Sequence, residues 1–190
     1  MKAALVLVDL QHDFLDRAGL VPPPEQLTAA VAGLLSACRE RHLPVVHVHT
    51  VVSPDGHDRM PHWVRAGTWT CVEGTRGAQA PTPIAPVAGE AVVRKPFFSG
   101  FGNPRLDELL RANAVDTVIV AGIYLHGCVR STVLDAYERG YAVWVAEDTT
   151  GSTEPEHAAQ SRTWLATRAA EFLTTRAILA RLDAGAPRAA

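Results

Sequence analysis

Cys128 lies in the stretch Val118-Ile-Val-Ala-Gly-Ile-Tyr-Leu-His-Gly-Cys-Val-Arg-Ser-Thr-Val-Leu-Asp-Ala136, where an apolar run passes Gly122 and gives way to a helical pattern. Downstream, Val129, Val133, Ala136 and Tyr137 recur at i, i+4, i+7 and i+8, so the cysteine heads an amphipathic helix. A thiol at a helix N-terminus faces unpaired backbone N–H groups and the positive end of the helix dipole, and both favour the nucleophilic thiolate. Two other residues fit the same chemistry. Asp9 follows the apolar run that starts at Ala3, and Lys95 follows the short run Glu90–Arg94. A carboxylate can take a thiol proton as general base, and an ammonium can lower the thiol pKa and orient the carboxylate. Each residue also has an ordinary reading. An Asp ending a strand turns or caps the chain, a Lys before Pro is a solvated loop charge, and a lone Cys is a small core hydrophobe. A shared location is what would make them a set.

The predicted elements supply that location. Ala3–Leu10 reads as a strand, and Pro22-Pro-Pro24 ends the loop after it. A helix follows from about Glu25, with Leu27, Val31, Leu34, Leu35 and Cys38 on one face. Leu43–Thr50 is the second strand, residues 51–90 form a long irregular excursion, and Glu90–Arg94 is the third strand. Asn103-Pro104 starts a helix over roughly 104–113, and Asp116–Ala121 is the fourth strand. Ala142–Ala146 is the fifth, and Thr153-Glu-Pro-Glu156 has the capping-box pattern of a further helix. Glu171–Thr174 is a sixth short strand, with a last helix over Thr175–Leu182. Alternating strands and helices predict a three-layer α/β/α sandwich around a mainly parallel, Rossmann-like six-stranded sheet. Residues 1–183 read as one domain and 184–190 as a frayed tail. Ligands of such sheets bind beyond the carboxyl ends of the strands, which is where Asp9, Lys95 and Cys128 all emerge.

Composition narrows the field. With 190 residues and 47% hydrophobic content the chain can bury a full core, and a net charge of −2 without a basic run argues against nucleic acid or anionic membrane as partner. The apolar start meets Asp9 and His12 too soon for a signal peptide, and no run approaches the ~20 residues of a membrane span. Cys38, Cys71 and Cys128 are odd in number and lack metal or CxxC spacing, as expected for free thiols in a reducing cytoplasm.

The residues resemble a family. Val8-Asp-Leu-Gln-His-Asp-Phe14 is similar to the opening motif of the isochorismatase-like cysteine hydrolases. Lys95-Pro-Phe-Phe-Ser-Gly-Phe101 resembles their lysine motif, and Gly122 to Ala136 their cysteine motif. Cys71-Val-Glu-Gly-Thr-Arg-Gly-Ala78 is similar to the segment before their third strand. The resemblance implies a triad of Asp9, Lys95 and Cys128, and a cis peptide between Ile123 and Tyr124 that turns a backbone N–H inward. It also implies an oxyanion hole from the N–H groups of Tyr124 and Cys128, and a homodimer or homotetramer.

Departures from the family bear on the substrate. The nicotinamidases of this superfamily carry Asp-x-His after the second strand and a further His before the third. By alignment this chain has Thr50-Val-Val52 and Thr70 there, which argues against that metal site. His47, His49, Asp55, His57 and His62 are near in sequence but match no compact ligand pattern, so no metal or other cofactor is expected. By period two, His47 and His49 share one face of a strand, one buried and satisfied or both near the pocket. Tyr124-Leu-His126 resembles isochorismatases, which lack a nucleophilic cysteine and cleave a vinyl ether.

The reaction implied is hydrolysis of a C–N bond in a small amide, ureide or carbamoyl compound through a thioester on Cys128. Phe14, Trp63, Trp69, Phe97, Phe98, Tyr124 and His126 are the candidates to line the pocket, although any one of them could be core or interface. Arg65 and Arg94 are candidates to pair a substrate carboxylate. The rival readings are a vinyl-ether hydrolase, which would keep activity without Cys128, a non-catalytic binding protein, and a redox thiol protein.

Overall fold

The computed structural model describes residues 1–185. Its centre is a six-stranded sheet in the order β3-β2-β1-β4-β5-β6, parallel throughout. The strands are β1 (Ala3–Val8), β2 (Val45–Thr50), β3 (Ala91–Lys95), β4 (Thr117–Ile123), β5 (Ala142–Gly151) and β6 (Glu171–Leu173). Every residue of β1, β2 and β4 is buried, which explains their unbroken apolar character: a central parallel strand is covered on both faces.

Alternation along the strands divides the core in two. Leu5, Leu7, Ile119 and Ala121 face Leu27, Val31, Leu34 and Leu35 of α2 (Pro24–Glu40) and Ile178 of α7 (Thr175–Gly185). Val6, Val8, Val118 and Val120 face the opposite layer. It is formed by Leu106 and Leu110 of α4 (Arg105–Ala112), Val133 of α5 (Arg130–Glu138) and Leu165 of α6 (Pro155–Ala166). Two short helices complete the set, α1 (His12–Leu15) after β1 and α3 (Pro61–Ala66) in the excursion. This strand order reverses between β1 and β4, the switch point at which doubly wound sheets hold ligands.

Several local expectations are corrected. Cys128 does not head α5 directly. A π-helical turn, Leu125–Val129, precedes it, broken by a non-helical Gly127. Strand β5 runs on to Gly151 after a register shift between Val120 and Gly122, well past the Ala146 read from the apolar run. The capping box at Thr153 does not form. Glu154 is the N-cap of α6 without a side-chain bond, and the Ser152 hydroxyl receives the Glu154 N–H instead. Pro104 is the N-cap of α4, and Asn103 Oδ1 just before it accepts the Arg105 N–H at 3.0 Å. The last helix continues through Ala184 to Gly185, and the rest of the expected tail lies outside the described residues.

Candidate active site

Asp9 leaves β1 with φ +54°, a left-handed conformation that Asp tolerates better than most residues. Its N–H bonds the Val48 carbonyl of β2 at 2.8 Å, so the carboxylate stays at the sheet's carboxyl edge. Lys95 ends β3 in register with Thr50, the last residue of β2. On the other side of β1, Gly122 pairs with Val8 at φ +129°, where a Cβ would run into the Val8 backbone. That close approach, and then the π-helical turn, carry Cys128 over the same edge. The Ile123–Tyr124 peptide is cis.

The three side chains meet. Lys95 Nζ donates to Asp9 Oδ2 at 2.8 Å and lies 3.4 Å from Cys128 Sγ. It also donates to Thr50 Oγ1 at 2.7 Å and to the Phe97 carbonyl at 2.9 Å. Asp9 Oδ1 accepts the Thr50 N–H and the Thr50 hydroxyl, both at 2.9 Å. Gln11 grips the same residue. Its Oε1 accepts the Thr50 N–H and its Nε2 donates to the Thr50 and Ala78 carbonyls. Asp9, Gln11, Thr50 and Lys95 are all buried. Asp13 ties the excursion down: its carboxylate accepts the Cys71 N–H at 2.6 Å and fills the space beside Gly77 where a Cβ would stand.

The electrostatics differ from the expectation of a ready thiolate. Burial pushes the Cys128 thiol well up, and the neighbouring Asp9 carboxylate raises it further, against the opposing effect of Lys95. Burial alone would lower Lys95, but Asp9 and Cys128 together outweigh it and raise the ammonium above its ordinary value. An ionised Asp9 and Lys95 cancel, so ionising the thiol as well would leave a net buried charge. Burial beside the Asp9 carboxylate therefore opposes a resting thiolate.

Five of the seven aromatic candidates belong to one contiguous series of rings. His126 stacks on Tyr124 at 5.7 Å, and Tyr124 meets Phe14 edge-on at 5.9 Å. Phe14 contacts Trp63 at 6.4 Å, Trp63 contacts His62, and His62 stacks on Phe98 at 5.8 Å. Phe97 joins the site through its carbonyl, while its ring is half exposed. Trp69 stands apart from this series, its ring against the Arg59 guanidinium at 4.0 Å. Arg94 is taken up by Glu73.

His47 and His49 share one strand face, their rings 6.0 Å apart, with Thr50 on the other. His47 is satisfied by Glu90 at 2.8 Å, and burial lowers His49 to about 4. Among the described residues no three His, Cys, Asp or Glu side chains gather as a metal site would require.

Thr50 and Gln11 were not singled out in the sequence as site residues. A Thr ending a strand is ordinary by type. No local signal marks its place beside both charged strand ends, which follows from the strand order β3-β2-β1.

Comparison with known proteins places the chain in a family. The isochorismatase domain family matches residues 3–177, and the chain belongs to that family. It is 31% identical over 160 residues to a maleamate amidohydrolase of Pseudomonas putida, covering 79% of this chain and 72% of that one. A ureidoacrylate amidohydrolase of Methylobacterium radiotolerans is 30% identical, covering 80% and 68%. An isochorismatase family protein of Desulfovibrio vulgaris superposes with a TM-score of 0.85 at 30% identity, covering 96% of this chain and 98% of that one. Among the described residues, no helix is long and apolar enough to cross a membrane.

Proposed function

We propose that this protein is a cysteine-dependent hydrolase of the C–N bond in a small amide, ureide or carbamoyl compound. The observation that carries the reading is the buried contact of Lys95 Nζ with both Asp9 Oδ2 and Cys128 Sγ. The names of the relatives, amidohydrolases of maleamate and ureidoacrylate, support the bond class.

Cys128 Sγ attacks the carbonyl carbon as its proton passes to Asp9. The raised thiol makes this transfer concerted with attack rather than complete before it. The oxyanion develops against the N–H groups of Tyr124 and Cys128, each such donor being worth about 3–4 kcal/mol in comparable sites. The proton on Asp9 then moves to the leaving nitrogen as the C–N bond breaks. A water molecule, deprotonated by Asp9, attacks the thioester, releasing the acid and restoring the thiol. Lys95 holds the carboxylate in register and offsets its charge throughout. Phe14, Tyr124 and His126 form the near wall for the acyl portion, and Trp63, His62 and Phe98 extend it outward.

The test is release of ammonia or amine from a panel of small amides, ureides and carbamoyl compounds by wild type and Cys128→Ala. Turnover that disappears in the variant supports the reading. Equal cleavage of isochorismate by both proteins, with no amide turned over, would replace it with the vinyl-ether alternative.

A further inference from the structure

Thr50 stands fully buried between Asp9 and Lys95, and its hydroxyl has one proton to place. Lys95 Nζ donates to Thr50 Oγ1 at 2.7 Å, so that proton is committed to Asp9 Oδ1 at 2.9 Å. The Thr50 backbone N–H meets the same Oδ1, also at 2.9 Å. Oδ1 therefore receives two donors from a single residue. Oδ2 receives Lys95 Nζ, the group that also touches Cys128 Sγ.

We propose that Thr50 is a positioning residue that divides the Asp9 carboxylate into an anchored oxygen, Oδ1, and a basic oxygen, Oδ2, held on the Lys95–Cys128 side for proton transfer. An unconstrained carboxylate rotates, and its two oxygens exchange. Two donors fixed on one oxygen remove that freedom, because rotation would break both bonds at a carboxylate that is only 1% exposed. Gln11 fixes Thr50 in turn, bonding its N–H and its carbonyl. The proton balance is closed. The Sγ–H proton goes to Oδ2 as the S–C bond forms, and from Oδ2 to the leaving nitrogen as the C–N bond breaks.

The catalytic consequence rests on the cysteine-hydrolase reading, whereas the orientation of the carboxylate does not. The experiment separates the two. Thr50→Ser, Thr50→Ala and Thr50→Val are compared in amide turnover and in iodoacetamide alkylation of Cys128, followed on the Cys128 peptide, each as a function of pH. Thr50→Ser should stay within about threefold of wild type. Thr50→Ala and Thr50→Val should lose about 30- to 300-fold in kcat with KM changed less than about threefold.

The Asp9 carboxylate loses one of the two donors that fix Oδ1, so alkylation of Cys128 should slow in the Ala and Val variants. The Lys95 ammonium loses an acceptor, which should move the alkaline limb of turnover down. The other titratable groups acting on the trio are Cys71, His49 and Tyr124, all unchanged by these substitutions. A structural defect alone would reduce the rate without moving that limb. The proposal is overturned if Thr50→Ala matches wild type, if its alkaline limb stays in place, or if Thr50→Ser is as slow as Thr50→Ala. Should Thr50→Val fail to fold, Ser against Ala decides, since the hydroxyl is what distinguishes them. If wild type turns over no amide while alkylation of Cys128 slows in Ala and is restored in Ser, the function reading fails and the assignment of Thr50 stands.

Discussion

Lys95 Nζ and Asp9 Oδ2 form an ion pair at 2.8 Å, with both side chains all but withdrawn from solvent. Neither charge has a substitute partner of opposite sign at that distance among the described residues. Their placement at one sheet edge, with Lys95 Nζ 3.4 Å from Cys128 Sγ, is what the proposed chemistry rests on.

Removing one member leaves the other charge buried. Lys95→Met should destabilise the protein by about 3–5 kcal/mol at neutral pH, the cost of an uncompensated buried ion. It should also lower kcat/KM by at least about 100-fold. Chemical denaturation together with initial rates checks both. Unchanged stability would mean that Asp9 is not held as the charged partner.

Gly122 is required by the approach of β4 to β1. Gly122→Ala places a Cβ against the Val8 backbone at φ +129° and should cost at least about 3 kcal/mol. Thermal unfolding measures this directly. Gly67, where a Cβ meets nothing within 4 Å, is the control for a left-handed glycine without the clash.

Asp13 anchors the excursion through the Cys71 N–H. Asp13→Ala should cost about 1.5–3 kcal/mol, the range for a hydrogen bond to a charged acceptor. Amide hydrogen exchange should speed up over residues 71–78 while β1 and β4 stay protected. A uniform increase across the chain would contradict this local anchoring.

Glu90 gives a pH signature away from the site. Burial pushes its carboxyl up, but hydrogen bonds from Arg39, the Val87 N–H and His47 outweigh burial and hold it at about 2, below the ordinary 4.5. Its folded value is depressed, so its stabilisation is fully present above 4.5 and is lost as pH falls from there towards 2. The amount at stake is at most about 3 kcal/mol. Glu90→Gln should therefore narrow the stability gap between about pH 7 and about pH 3 in urea unfolding. An unchanged gap would remove Glu90 as a source of acid sensitivity.

Particular residues show what the sequence makes legible. Asp9, Lys95 and Cys128 stand out because apolar strands announce their own ends, and in a parallel sheet those ends share an edge. The relation between Thr50 and Asp9 spans 41 positions and depends on strand register, which no local pattern encodes. The raised thiol is hidden from the sequence for a similar reason. A helix start is visible in the sequence, whereas the depth of burial beside a carboxylate is not. Among the aromatics, composition nominates seven, but orientation leaves Trp69 against Arg59 and joins Phe14, Trp63, Tyr124, His126 and Phe98 through His62, which the sequence leaves open between a pocket residue and a metal ligand.

The central claim is that Cys128 carries the acyl group. The most direct measurement is acid quenching during turnover of a slow amide substrate, followed by mass analysis of the peptide bearing Cys128. The account predicts an adduct with the mass of the acyl portion on Cys128, disappearing as substrate is exhausted and absent in Asp9→Asn. Steady turnover with no adduct on Cys128, and with Cys128→Ala equally active, would contradict it.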